Sequence, residues 1–165
     1  YPGGKYIESK SKNGNKNKFN FPKPLLKKNN LDFSFSGLKT AVKLEVNKSK
    51  KINNKFKEDL SASFQETVTN ILTIKMKFAI QHCKRNYPKI KNVVVAGGVA
   101  ANNSIRLSLK ELCEENKLNI YYPPVSLCGD NAAMIGWACL QRFKIGYKGD
   151  INFRPRPRWS LNEMI

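Results

Sequence analysis

The sequence predicts an α/β domain built on parallel strands, and three observations carry that reading. Asn92 to Ala96 and the NIYYP run at 119–123 are short apolar segments of strand length. Each is followed by a helical pattern, so the order runs strand, helix, strand, helix, which implies parallel pairing through right-handed crossovers. The first strand ends on a glycine pair, Gly97–Gly98, at the place where such folds turn into a helix. With 165 residues, 41% of them hydrophobic, the chain has material for one ordinary core, and a single domain is expected.

Taken in order, residues 8–20 (ESKSKNGNKNKFN) have almost no apolar residue and no period, so a solvated, flexible Lys/Asn-rich insertion is expected, reaching to about residue 30. Phe33 and Phe35 alternate with Asp32, Ser34 and Ser36, which reads as a short strand. After Gly37 the spacing of Leu38, Val42 and Val46 turns helical. A long helix follows from about Lys57 to Arg85, with Leu60, Phe64, Val68, Ile71, Leu72, Ala79 and Cys83 on one stripe, ended by Tyr87 and Pro88. Beyond the glycine pair, Asn103 to Glu115 is predicted helical with Ile105, Leu109, Leu112 and Cys113 on its apolar face. The last helix, NAAMIGWACLQRF, is opened by Asp130 or Gly129 and closed by Gly146, and a basic, proline-stiffened tail completes the chain.

Composition bounds the function. The formal charge is +18, with 30 Lys and Arg against 12 Asp and Glu. A polyanionic partner such as nucleic acid explains that excess. So does drift in an AT-rich genome, because lysine recurs beside asparagine and arginine stands only at 85, 106, 142, 154, 156 and 158. No stretch approaches the ~20 apolar residues of a membrane span. Cys83, Cys113, Cys128 and Cys139 form no CxxC pair, which argues against a zinc module or disulfide framework and suits a reducing cytoplasm. The one histidine, His82, has no second ligand nearby in sequence. The first residue is Tyr1, so the chain is read as a piece of a longer one.

The glycine pair admits two readings. It lets a flat or anionic group approach the backbone, and it also serves any tight strand-to-helix turn. Asp130 is similarly double, as an N-cap for the helix after it or as a carboxylate left reachable by Gly129, Ala132, Ala133 and Gly136. A carboxylate is a hard metal ligand, though one ligand makes no site.

Three stretches in order, FSFSGLKTAV, VVVAGGVAANNSIR and LCGDNAAMIG, with YPGG before them and RPRW after, resemble the TsaD family of tRNA threonylcarbamoyladenosine synthases. The resemblance spans essentially the whole chain but only the C-terminal half of a family member. It implies an actin-like, ribonuclease-H-like ATPase architecture, present here as its C-terminal portion with an incomplete sheet. It also implies transfer of a threonylcarbamoyl group from threonylcarbamoyl-AMP to the N6 amine of the adenosine adjacent to the anticodon. Gly4 of YPGG and Asn102 of GGVAAN match adenylate-binding positions, Gly97 and Gly98 match the adenosine motif, and Asp130 matches a metal-ligand aspartate. The metal is expected to be iron or zinc, with two histidines from an HxxxH motif. Neither that motif nor the family's SGGH stretch is in this sequence, and both are expected upstream of YPGG. Lys5 stands where proline is common. Expected partners are tRNA, TsaB and TsaE; no catalytic residue is identified in this half, and alone it is expected to be inactive. The alternative is a basic RNA- or nucleotide-binding module without catalysis.

Overall fold

The computed structural model describes residues 3–26, 30–150, 152, 154–160 and 163. The chain forms two compact units, Tyr1–Gly129 and Asp130–Ile165.

In the first unit, helix α1 (Gly3–Ser11) packs against the long helix α3 (Asn54–Asn86). Helix α2 spans Ser36–Lys48 and buries Leu38. Phe33 and Phe35 stack, with ring centroids 6.5 Å apart, but residues 32–35 are not a strand. An alternating run needs a partner ladder, and among the described residues the only sheet is made elsewhere. Helix α3 begins earlier than its apolar stripe suggests, because Asn53 caps it by accepting from the Phe56 N–H at 2.8 Å.

Of that stripe only Ile71 is fully buried, and the other residues that α3 buries most lie off it. Asp59, Ser63, Thr67, Ile71 and Lys75 recur every four positions and all are buried. They form one i+4 ridge. Along it lies the Lys/Asn-rich segment, whose first residues, 8–11, are the end of α1. Past Ser11 the segment has turns and no regular structure, yet it is anchored. The Asn15 N–H donates to Asp59 Oδ1 at 2.7 Å, the Phe19 N–H donates to Ser63 Oγ at 3.1 Å, and Ser63 Oγ donates to Asn15 O at 3.2 Å. Phe21 is buried, and Phe19 meets Phe56 edge-on at 5.5 Å. Further along, the Lys75 ammonium donates to Leu25 O, Asn30 O and Asn30 Oδ1 at 3.0, 2.8 and 2.9 Å. Oxygen partners of this kind keep a buried ammonium from incurring the several kcal/mol of an uncompensated charge. A hydrophilic sequence thus finds its place by giving backbone groups to a polar ridge.

Strands β1 (Asn92–Val94) and β2 (Asn119–Tyr121) pair in parallel, Val93 opposite Ile120, as the order of elements predicts. Helix α4 (Asn103–Glu115) joins them with the expected limits, and Ile105, Leu109, Leu112 and Cys113 are all buried. Ile80 of α3 packs with Leu112 and Cys113, and Met76, Val93, Leu118 and Ile120 close over them. Alternation leaves Val94 72% and Tyr121 54% exposed on the face they share with Asn92 and Asn119, so one face of the two-stranded sheet is open. Helix α4 ends with Lys117 at φ 57°, its N–H on Glu114 O and the Leu118 N–H on Cys113 O. This is a Schellman turn with lysine where glycine is usual.

The second unit contains helix α5 (Ala132–Lys144), none of whose residues is buried. Gly146, at φ 84°, closes it: its N–H bonds Phe143 O, and the Tyr147 N–H bonds Arg142 O. That termination is the one the sequence predicts. The start differs, because the cap is Asn131, extended at φ −149° and ψ 150°, accepting from the Met134 N–H at 2.9 Å. Asp130 lies one residue too early to reach that donor.

Candidate functional site

After β1 the chain makes a tight turn and enters a short 3₁₀ turn over Gly98–Ala101 before α4 begins. The Ala100 N–H bonds back to Gly97 O at 2.9 Å. The two glycines have different reasons to be glycine. Gly97 sits at φ 93° and ψ 165°, a region essentially closed to residues with a side chain. Gly98 has no such constraint, and a Cβ built on it or on Gly97 meets nothing within 4 Å. The turn geometry therefore accounts for Gly97 and leaves Gly98 unexplained by anything inside the chain.

Asn102 is the N-cap of α4, its Oδ1 accepting from the Ile105 N–H at 3.1 Å. Its Nδ2 donates to Gln65 Oε1 at 2.9 Å, and Gln65 Nε2 donates to Ser104 Oγ at 2.9 Å. An asparagine amide offers two donors and two acceptor lone pairs, so one of each is left for another group. Gln65, which in sequence only interrupts an apolar run, thus fixes the cap from α3.

Gly4 lies in the first turn of α1, exposed, with nothing within 4 Å of a built Cβ. Four residues on, on the same face, Glu8 Oε1 accepts from the Asn103 N–H at 2.8 Å. That contact brings the Gly4 helix to the glycine turn. Tyr1 and Pro2 of YPGG lie outside the described residues.

A second residue missed in sequence, Arg106, ties the turn from the other side. Its Nε donates to Ala100 O, and its terminal nitrogen donates to Pro123 O at 3.0 Å and to Cys128 Sγ at 3.1 Å. The guanidinium lies 4.7 Å from the centre of the Tyr122 ring, and the Tyr122 hydroxyl donates to Arg106 O at 2.9 Å. One side chain thereby joins the turn after β1 to the loop after β2. Burial pushes the Tyr122 phenol above its ordinary value and raises the Cys113 thiol likewise.

Asp130 is exposed and forms no ion pair among the described residues. No group of three His, Cys, Asp or Glu among the described residues could hold a metal ion. The donors present do not make a site for iron or zinc, since a protein-bound ion of that kind normally takes at least three protein ligands. Within the described residues no helix is long and apolar enough to cross a membrane.

Strand, glycine turn and capped helix together form the unit on which α/β proteins commonly hold nucleotides. Sequence comparison gives the family. The family model described as TsaD: tRNA N6-adenosine threonylcarbamoyltransferase matches residues 1–137. Three relatives bear the name tRNA N6-adenosine threonylcarbamoyltransferase. The Rhizobium etli protein is 43% identical over 98% of this chain and 46% of its own length. The Bartonella henselae protein is 44% identical over 99% and 47%, and the Rickettsia canadensis protein is 42% identical over 99% and 48%. The chain belongs to the TsaD family, and it spans about half the length of these relatives.

Proposed function

We propose that this chain supplies the adenylate-facing part of a tRNA N6-adenosine threonylcarbamoyltransferase of actin-like fold. In the reaction, the N6 amine of the adenosine adjacent to the anticodon attacks the carbonyl carbon of threonylcarbamoyl-AMP. A C–N bond forms, the C–O bond to the phosphate breaks, AMP leaves and the amine loses a proton. Gly97, Gly98, Gly4 and Asn102 contact the adenylate. Asp130 gives one carboxylate to an iron or zinc ion whose other donors come from outside this chain, and TsaB and TsaE act with the full-length protein in the cytoplasm.

The observation that carries the reading is Gly98, an exposed glycine whose missing side chain is required by no contact in the chain. It lies in a turn flanked by Gly4's helix through Glu8 and by Asn102 through its cap. The test is a transfer assay on the full-length protein with its family partners, threonylcarbamoyl-AMP and tRNA. Formation of threonylcarbamoyladenosine that stops when Gly98 carries a valine supports the reading, and equal transfer by the two proteins refutes this role for the turn. The +18 charge favours a second reading, RNA binding without catalysis. Salt-dependent tRNA binding with no transfer under any condition is its signature.

A further inference from the structure

A tRNA-modifying enzyme must hold the RNA backbone as well as the adenylate, and one part of this surface is built for phosphate. The last turn of α1 carries Lys10, the turn after it Lys12, Lys16 and Lys18, and the first turn of α3 carries Lys55 and Lys57, all exposed. The two elements are fastened together. A Cβ on Gly14 would lie 2.0 Å from Glu58 O, so only glycine lets the turn seat on α3. The Asn15 N–H is held by Asp59, and Lys55 Nζ donates to Asn13 O at 3.2 Å.

The carboxylates on α3 beside this turn are Glu58, Asp59 and Glu66. Asp59 is buried and occupied by Asn15 and by Lys55 at 3.1 Å, while Glu66 meets Lys16 at 3.5 Å. Lys10, Lys12, Lys18 and Lys57 form no ion pair among the described residues, and Lys18 feels the Asp59 carboxylate only at longer range. Compositional drift would scatter lysines without regard to whether the backbone beneath them is fixed. Here a glycine, a buried aspartate and a buried serine fix it.

We infer that this anchored lysine turn is a docking surface for the phosphate backbone of tRNA. The inference rests on the function proposed above. Helix α1 runs from Gly4 to this turn, and its rise of ~1.5 Å per residue over its nine residues is about 14 Å. That is a span of about two or three nucleotides, so one RNA can touch both the patch and the site. Lysines suit the task because phosphate contacts position a nucleic acid without reading its sequence.

The experiment measures tRNA binding by the full-length protein as a function of salt. Three proteins are compared: wild type; a patch variant with Lys10→Gln, Lys12→Gln, Lys18→Gln and Lys57→Gln; and a control with Lys77→Gln, Lys89→Gln and Lys91→Gln, exposed lysines toward the far end of α3. A fourth protein, Gly14→Ala, keeps every charge and displaces the turn, with its fold checked by thermal melting. Each tRNA phosphate left without its lysine lowers the slope of log affinity against log salt by ~0.7–0.9. The patch variant is expected to lose about two units of slope or more and tenfold or more in affinity at ~0.1 M salt. The control should change severalfold at most, and a folded Gly14→Ala protein should lie near the patch variant. Equal losses in patch and control proteins would show that the charge acts diffusely and overturn the inference. Wild-type binding by the patch variant would overturn it while leaving the transferase reading intact. No tRNA binding by the wild-type protein would sink both. Sedimentation with phosphatidylserine vesicles, lost in the patch variant while tRNA binding is kept, would overturn it in favour of a membrane surface.

Discussion

Gly98→Ala separates the two uses of the glycine pair because it should move stability and affinity in opposite directions. The added methyl meets nothing within 4 Å, and the backbone at Gly98 is not in the left-handed region. Replacing glycine by alanine at such a position restricts the unfolded chain and stabilises by about 0.4–1 kcal/mol. In a protein of this size or larger that raises Tm by about 1–4 °C. The same methyl projects ~1.5 Å from Cα into the space assigned to the adenylate. Backing the ligand away loses a hydrogen bond, about 0.5–1.5 kcal/mol, together with contact dispersion. A total near ~1.4 kcal/mol is a tenfold rise in Kd. Calorimetric titration of full-length protein with AMP, beside a thermal melt, reads both effects. Gly97→Ala is the internal contrast, since φ 93° imposes about 1–3 kcal/mol of backbone strain and should lower stability and affinity together. A Gly98→Ala protein with raised Tm and unchanged Kd would refute the claim that the turn faces a ligand.

Four other outcomes are expected. Lys117→Gly should stabilise α4 by about 1 kcal/mol in denaturant melts, because glycine takes φ 57° without the cost lysine bears there. Asn102→Asp keeps the α4 cap and loses the amide donor to Gln65, so adenylate affinity should fall more than stability, whereas Asn102→Ala should also lose about 1 kcal/mol of cap. Asp59 is held below the ordinary carboxylate range by the Asn15 N–H, with Lys55 adding to it against the opposing effect of burial. Its stabilisation is complete above the unfolded value of ~3.9 and is lost as pH falls through the lower folded value, and Asp59→Asn should flatten that acid limb of a Tm–pH curve. Asp130→Asn should leave Tm in chelator unchanged, since Asn131 is the cap, while metal content of the full-length protein falls; retained stoichiometric metal would remove Asp130 from the ligand set.

What sequence could tell followed from local pattern. Helix α4 was legible because its single apolar stripe is encoded within it, although its Asn102 cap was not read from the sequence. The Gly146 stop was legible for the same reason. Phe33 and Phe35 misled because alternation describes one strand's faces and says nothing about whether a neighbour exists to complete the ladder. The start of α5 turned on one position, with Asp130 and Asn131 both able to cap, and only the backbone decided between them. The buried ridge of α3 was invisible for a deeper reason. Periodicity detects apolar burial, whereas Asp59, Ser63 and Lys75 are buried because backbone groups 44 to 50 residues earlier reach them.

That same non-locality governs how the site is held. Around the glycine turn, Glu8 is spent on the Asn103 N–H, Asn102 Oδ1 on the Ile105 N–H, Gln65 on Asn102 and Ser104, and Arg106 on Ala100, Pro123 and Cys128. Each of these side chains faces the protein. What remains turned outward at Gly97 and Gly98 is main chain and open space, beside the exposed Val99 side chain. A ligand there would be recognised chiefly by shape and backbone, on a platform that the polar side chains keep fixed. Substitutions at Arg106 or Gln65 should therefore act as positioning changes, lowering affinity and local stability together, while Gly98→Ala should move them in opposite directions.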